Sequence, residues 1–313
     1  MPAAYLPSPA SAVWHLGAIP VRAYAVCMVV GVVTGLWLTD RRYRRSGGQA
    51  GVILDLATVA VPVGLIGARA YSVLSNYREY FGAGRDWTDV FRIWDGGLGV
   101  AGAVAAGAIA AWVYCRRADL ELGLVALAAA PALAVTQAIA TWGNWFSQEQ
   151  YGRPSTLPWA VAISPQHRPA GYQAFATFQP VFLYESLLDL LVAAVVVYAI
   201  RRFALAGERA FALYAALYAA GRCVTEMMRI DYSARLFGLR TNLVTMLAVL
   251  IIACGYLVMA RRRGRPGPPV MPDEPARPRL RVRSSRAAGE LGLPVTTRPG
   301  DGAPGTGAGG GSG

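Results

Sequence analysis

The chain has 313 residues, of which 55% are hydrophobic and only 15% are charged, whereas soluble domains carry about 25% charged residues. Its apolar residues come in runs of about 20, the length that crosses a bilayer as a helix, so an ordinary soluble core is excluded. The formal net charge is +12 and every basic residue is arginine. Ten of the arginines follow residue 260 and most of the others lie in short connections, which is typical of membrane topology rather than of nucleic-acid binding.

The apolar runs predict an all-α polytopic membrane protein, a bundle of about seven transmembrane helices. In chain order the predicted spans are Ile19–Leu38, Val52–Leu74, Gly97–Tyr114, Leu122–Ile139, Val181–Ile200, Ala210–Met227 and Leu243–Met259. The fourth run is rich in alanine, and polar residues interrupt the sixth.

Arginines concentrate in alternate connections between these spans. The first, third and fifth connections and the chain after the last span hold, in order, Arg41, Arg42, Arg44 and Arg45; Arg116 and Arg117; Arg201, Arg202 and Arg209; and Arg261, Arg262, Arg263 and Arg265. Short loops rich in arginine stay on the cytoplasmic side. We therefore expect the N-terminus and the long connection over residues 140–180 outside, and the C-terminus in the cytoplasm.

Composition divides the chain into a seven-helix transmembrane domain over residues 1–260 and a tail over residues 261–313. The tail is rich in proline, glycine and arginine, cannot bury a core, and is predicted to be disordered and cytoplasmic. Its arginines are either solvated or in contact with anionic lipid headgroups. The four cysteines lack paired spacing and there are only two histidines, so we expect no metal site and no cofactor.

The sixth span carries a polar stripe. Tyr218, Arg222, Glu226 and Arg229 follow each other at spacings of four, four and three, which places them on one face of a helix. One interpretation is a salt bridge that satisfies only itself inside the bundle. The other is an anion site, since a single glutamate does not neutralise two arginines and a net positive charge remains.

Other polar residues lie near the ends of predicted spans. Arg69, in the second span, either binds a phosphate group with its planar guanidinium or pairs with a carboxylate such as Glu185. Residues 92–99 combine charge with glycines that allow close backbone approach. Residues 142–154 combine aromatic rings with Asn144 and Glu149, which aromatic membrane anchors alone do not explain.

Five of these motifs in order resemble the prolipoprotein diacylglyceryl transferase family across roughly residues 15–260. They are Gly-x-Arg at 67–69, Arg-x-Trp-Asp-Gly-Gly at 92–97, Gly-Asn-x-x-x-x-Glu-x-x-Gly-Arg at 143–153, Pro-x-x-Leu-Tyr-Glu at 180–185 and Arg-x-x-x-Glu-x-x-Arg at 222–229. The resemblance implies seven spans with an outside N-terminus, in agreement with the arginine count, and a multi-pass location in the bacterial cytoplasmic (inner) membrane.

The resemblance also implies the reaction and its partners. The family transfers the diacylglyceryl group of phosphatidylglycerol to the thiol of a lipobox cysteine in the signal peptide of a preprolipoprotein and releases glycerol phosphate. By motif position, the implied catalytic residues are Arg222, Glu226, Glu149 and Tyr24, and the implied substrate-binding residues are Arg69, Asn144, Gly152, Tyr218 and Arg229. Within this set Arg222 would stabilise the phosphate, with Arg69 and Arg229 in support, and Glu226 would orient the arginines.

Two positions depart from the family pattern. The family signature runs Gly-Arg-x-Gly-Asn, where this chain has Ala140, Thr141, Trp142, Gly143 and Asn144, so Thr141 replaces an arginine. The histidine that some members carry after Asp-Gly-Gly is alanine here, at residue 101. Losing a charged donor typically lowers the rate about 100- to 1000-fold. The alternative function is therefore an impaired relative that binds anionic phospholipid or lipoprotein precursor without turnover.

Overall fold

The computed structural model describes residues 5–9, 11–16, 19–81, 87–92, 99–231, 235–236 and 238–262. In these residues nine α-helices and six short strands follow each other along the chain. The helices are α1 (Ala23–Arg45), α2 (Val52–Ser75), α3 (Tyr77–Phe81), α4 (Val100–Arg117), α5 (Leu122–Ala140), α6 (Gly143–Ser147), α7 (Val181–Phe203), α8 (Gly207–Met228) and α9 (Thr241–Arg262). The strands are β1 (Val13–Leu16), β2 (Ile19–Arg22), β3 (Val161–Ala162), β4 (Thr177–Phe178), β5 (Arg235–Leu236) and β6 (Leu239–Arg240).

The mostly helical structure is that of a polytopic membrane protein. Within the described ranges, five helices are long and apolar enough to cross a membrane: Ala23–Arg45, Val52–Ser75, Leu122–Ser147, Val181–Phe203 and Thr241–Arg261. Large apolar side chains also point outward, such as Ile66, Leu74, Ile251 and Ile252, each about 70% exposed or more. Outward apolar surface on that scale fits a lipid environment.

The two remaining long helices, α4 and α8, coincide with the third and sixth predicted spans. α4 is 18 residues long and ends in Arg116 and Arg117, and α8 carries Glu208, Arg209, Arg222 and Glu226, so neither contains an 18-residue stretch as apolar as those of the other five helices. All seven predicted spans thus fall on long helices, while the crossing of all seven and the orientation of the termini stay predictions.

The first predicted span begins too early. Ile19–Arg22 is not helical but forms β2, which pairs with β1 in antiparallel register, Val13 opposite Arg22 and Leu16 opposite Ile19. Pro20 explains the difference, because proline disfavours helical geometry in the residue before it. The helix begins only at Ala23, directly after the hairpin.

Most long helices pack against one main neighbour, and three of them pack together as a group. α2 packs along α4, α1 along α5, and α8 along α9, while α5, α7 and α8 pack against one another. A buried cluster between the last three includes Ala130, Ala134, Val192, Val196 and Tyr214. Small side chains at these contacts allow helices to approach closely, as membrane bundles require.

The connection from α5 to α7 folds over one end of this bundle. It contains α6 and the antiparallel pair β3–β4, with a buried cluster that includes Tyr151, Val161, Phe178 and Phe182. The N-terminal segment adds to it, since Leu6 forms main-chain hydrogen bonds with Ala160 and Ala162. The predicted tail from residue 263 and the motif over residues 93–98 lie outside the described residues.

Candidate active site

The polar stripe of α8 lies on one face of the helix, as its spacing predicts. Tyr218 and Arg222 line the same cleft, and Glu226 one turn further accepts a hydrogen bond from Arg229 at 3.0 Å. Arg229 itself has left the helix, with extended backbone at φ −73° and ψ 142°. The sequence prediction for this face of α8 is therefore confirmed, with Arg229 just beyond the helix end.

The cleft lies between α7 and α8. Its polar lining consists of Glu185 and Asp189 from α7 and Tyr218, Arg222 and Thr225 from α8. The guanidinium of Arg222 forms a salt bridge with the carboxylate of Glu185, which is almost completely buried. The Arg222 side chain keeps 23% exposure. Because a guanidinium carries five N–H donors, Arg222 has donors beyond those that Glu185 uses.

Below the cleft, Glu226 is shared between two arginines. Its Oε2 accepts from Arg229 Nη1 at 3.0 Å and its Oε1 accepts from Arg240 Nε at 2.6 Å. Arg229 also donates to both carboxylate oxygens of Asp231, at 2.8 and 2.7 Å. Arg240 donates to the main-chain oxygen of Asp231 at 2.9 Å and to its Oδ2 at 3.3 Å. Such two-pronged contacts are the strongest that arginine makes with a carboxylate.

The predicted net positive charge of the stripe is wrong. Arg222, Arg229 and Arg240 form salt bridges with three carboxylates, those of Glu185, Glu226 and Asp231, and a fourth carboxyl group, that of Asp189, lines the same cleft as Arg222. The spacing within α8 identifies only one carboxylate, that of Glu226, because the other acidic residues come from α7 and from the segment after α8. Excess positive charge is therefore no argument for an anion site here, and only the remaining donors of Arg222 favour one.

Residues 143–152 meet the end of α8 at the same place. The main chain of Gly152 pairs with that of Arg229 and donates to Gln179 O at 2.9 Å. A Cβ atom on Gly152 would lie 3.0 Å from Gln179 Cβ and 3.1 Å from Met228 O. Only glycine therefore fits here without displacement, and the close contact fixes the position of the connection relative to α8.

Asn144 lies on α6 and is 6% exposed. Its side-chain Oδ1 is buried and has no hydrogen-bond partner among the described residues. Its main-chain oxygen accepts from the Glu149 amide at 3.2 Å, and the Glu149 side chain is exposed. A buried amide oxygen without a partner is costly, so this position suits an amide that meets a ligand.

Tyr24 occupies the first turn of α1 and contacts this connection. A Cβ atom on Gly143 would lie 2.5 Å from the Tyr24 ring, so the two residues are in tight contact. The hydroxyl lies within electrostatic range of both Glu149 and Arg222. Helix α1 thereby places a phenol near both the connection and Arg222.

Arg69 occupies a different environment. Its guanidinium donates to Val90 O at 2.7 Å and to Asp89 O, and it stacks 5.0 Å from the centre of the Tyr80 ring. These contacts hold the turn at Trp87–Phe91 against α2. Glu185, one carboxylate that the sequence allowed as a partner of Arg69, pairs with Arg222 instead.

Thr141 directly follows α5, two residues before α6. Its hydroxyl donates to Gln137 O at 2.9 Å, and the Gln137 side chain accepts from Tyr214 at 2.8 Å. The Tyr214 ring stacks on Tyr218 at 5.9 Å. The position of the missing arginine is thus connected through two side chains to the cleft between α7 and α8.

Comparisons with known proteins agree on one family. The family model described as prolipoprotein diacylglyceryl transferase matches residues 11–261. A phosphatidylglycerol–prolipoprotein diacylglyceryl transferase of Streptomyces griseus is 48% identical over 278 residues, covering 88% of this chain and 84% of its own length. One of Streptomyces coelicolor is 48% identical over 267 residues, covering 85% and 77%. One of Mycobacterium avium is 44% identical over 278 residues, covering 85% and 63%.

Proposed function

Because this chain belongs to the prolipoprotein diacylglyceryl transferase family, we propose that it transfers the diacylglyceryl group of phosphatidylglycerol to the cysteine thiol of a preprolipoprotein. The observation that carries the proposal is the 48% identity with a relative of that name over 88% of the chain. The names of the relatives do not favour the alternative of a binding protein without turnover.

The chemistry requires a leaving phosphate to be stabilised. The lipobox thiol loses its proton, and its sulfur attacks the diacylglyceryl carbon that carries the phosphate-ester oxygen. A C–S bond forms, the bond between that carbon and the ester oxygen breaks, and glycerol phosphate leaves with both electrons of the broken bond. Donors already in position stabilise charge that develops in the transition state. Arg222 is the residue we assign to this role, since it has donors to spare in a cleft. Nearby guanidinium also favours the thiolate form of the attacking cysteine.

The remaining predicted residues frame this centre. Tyr24 and Tyr218 line the approach to Arg222, Asn144, Glu149 and Gly152 shape the donor site, and Glu226 with Arg229 fixes the end of α8. Arg69 acts at a distance by holding the Trp87–Phe91 turn. We further propose seven spans, an outside N-terminus and a cytoplasmic C-terminus in the bacterial cytoplasmic (inner) membrane, since arginine-rich connections stay inside.

The test is an assay of the purified full chain in vesicles of phosphatidylglycerol with a lipobox peptide. We expect a thioether-linked diacylglyceryl peptide by mass spectrometry, and none with vesicles of phosphatidylcholine alone or with a peptide whose cysteine is serine. Thermal stabilisation by phosphatidylglycerol without any thioether product would contradict transferase activity and favour a binding protein.

Thr141 offers a second test in the same assay. Thr141→Arg restores a charged donor next to the connection that carries Asn144, and we expect turnover to rise, by up to about 100-fold, because such donors typically contribute that much. Thr141→Gln is the matched control, since it adds length and hydrogen-bonding capacity without charge. Equal rates in the two variants would show that the charge at this position does not limit the reaction.

A further inference from the structure

The hairpin between α8 and α9 brings an arginine to the candidate active site that the sequence motifs do not include. β5 and β6 pair in antiparallel register, with Arg235 opposite Arg240. Arg235 is exposed. The Arg240 side chain is 18% exposed and reaches the almost completely buried carboxylate of Glu226. Arg240 thus links the end of α8 to the start of α9.

Glu226 could pair with Arg222 on the same helix, but in this structure its oxygens are taken by other arginines. Arg222 and Glu226 are separated by four residues on α8, the spacing at which oppositely charged side chains of a helix normally pair. Instead, both oxygens of Glu226 are engaged, Oε2 by Arg229 and Oε1 by Arg240. Arg222 pairs across the helix interface with Glu185.

Asp231 fixes the two arginines in this arrangement. It accepts a two-pronged contact from Arg229, and its main-chain oxygen and Oδ2 accept from Arg240. The four residues form a network of two positive and two negative groups. The network is balanced in charge and forms no salt bridge with Arg222 among the described contacts, although the Glu226 carboxylate lies within electrostatic range of Arg222.

We propose that Arg240 is a positioning residue that holds Glu226 away from Arg222 and thereby keeps donors of Arg222 available to the phosphate of the lipid. Without Arg240, the Oε1 atom of Glu226 loses its partner in a buried site, where an unpaired charge is costly. Arg222 lies one turn away on the same helix and within electrostatic range of Glu226, so it is the replacement we expect. A second carboxylate on Arg222 would then compete with the lipid phosphate. The inference rests on the proposed function, because it assumes that Arg222 binds phosphatidylglycerol.

The experiment measures the dissociation constant for short-chain phosphatidylglycerol in detergent, alongside turnover. Arg240→Gln should weaken binding about tenfold, the effect of losing one charge-assisted contact. Arg235→Gln, on the facing strand and exposed, should bind like the wild type. The decisive variant is Arg240→Gln/Glu226→Gln, because a neutral amide does not neutralise Arg222. Binding should return to within about threefold of the wild type, even though turnover stays low without the Glu226 carboxylate.

The outcomes separate this inference from the proposed function. Wild-type protein that makes no thioether product contradicts the proposed function. If the wild type is active and Arg240→Gln binds phosphatidylglycerol as tightly as Arg235→Gln does, the proposed role of Arg240 is overturned. Weak binding that the double variant does not rescue also overturns it, because it points to a purely structural loss. Should Arg240→Gln fail to fold, Arg240→Lys and Arg240→Lys/Glu226→Gln give the same comparison with a smaller effect.

Discussion

The helix pairs α2–α4 and α7–α8 are held together by different means. A Cβ atom on Gly67 of α2 would lie 2.2 Å from Ala106 Cβ and 2.7 Å from Gly102 O of α4, so these backbones touch. At α7–α8, a salt bridge joins Glu185 and Arg222 beside a cleft. Charges inside a membrane protein are costly and persist where they serve a function. We therefore propose that the first pair serves as scaffold and that the second carries the chemistry.

The strongest test of this contrast is Arg222→Gln. We expect the ratio kcat/KM for phosphatidylglycerol to fall about 100- to 1000-fold, since the variant keeps the side-chain length but loses the charged donors. The thioether assay measures it. The thermal unfolding midpoint serves as a fold check.

Two matched variants control for loss of a surface arginine. Arg202→Gln removes a cation that lies over the exposed Phe203 ring at the far end of α7, and Arg263→Ala changes the predicted tail. Both should keep wild-type activity. An equal loss in all three variants would remove Arg222 from the centre of the mechanism.

Gly67→Ala tests the scaffold side of the comparison. The added methyl group has no room between α2 and α4, and overpacking of this kind typically costs about 1–3 kcal/mol. We expect a lower unfolding midpoint in detergent. Gly255→Ala on α9 is the control, because a Cβ atom there meets nothing within 4 Å, and alanine in place of a mid-helix glycine stabilises by about 0.5–1 kcal/mol. Equal midpoints would show that α2 and α4 do not pack as described.

Features that depend on one segment of the chain can be predicted from the sequence. The run Val52–Leu74 predicts α2 almost to the residue, because length and hydropathy of one stretch decide whether it is a membrane helix. The face of α8 follows likewise from spacing alone.

The failures of the sequence predictions share a physical cause, which is pairing between distant segments. Glu185 and Arg240 reach the α8 stripe from other elements, and no spacing rule within α8 predicts them. The sequence pattern of α8 therefore predicts more positive charge at the site than the structure has. The early start of the first span has a local cause instead, since the run includes Pro20, which belongs to a hairpin.

The smallest effect we predict concerns Asp231, which lies after α8 in the connection to α9. Burial alone would raise the pKa of this carboxyl, but the hydrogen bond from Arg229 and the charges of Arg229 and Arg240 outweigh it and hold the pKa below its usual 3.8. A carboxylate with a lower pKa in the folded than in the unfolded chain stabilises the fold above the unfolded pKa. That contribution is lost as the pH falls through the folded pKa.

Asp231→Asn should therefore be less stable than the wild type at about pH 7, by about 1 kcal/mol for a partly exposed pair. The difference should shrink as the pH falls below about 4, because the wild-type carboxyl then becomes neutral as well. Thermal unfolding of both proteins in detergent across this range measures it. A stability difference that stays constant with pH would mean that Asp231 acts through its shape and main chain rather than its charge. Glu226 would then be the carboxylate that balances the charge of Arg229 and Arg240.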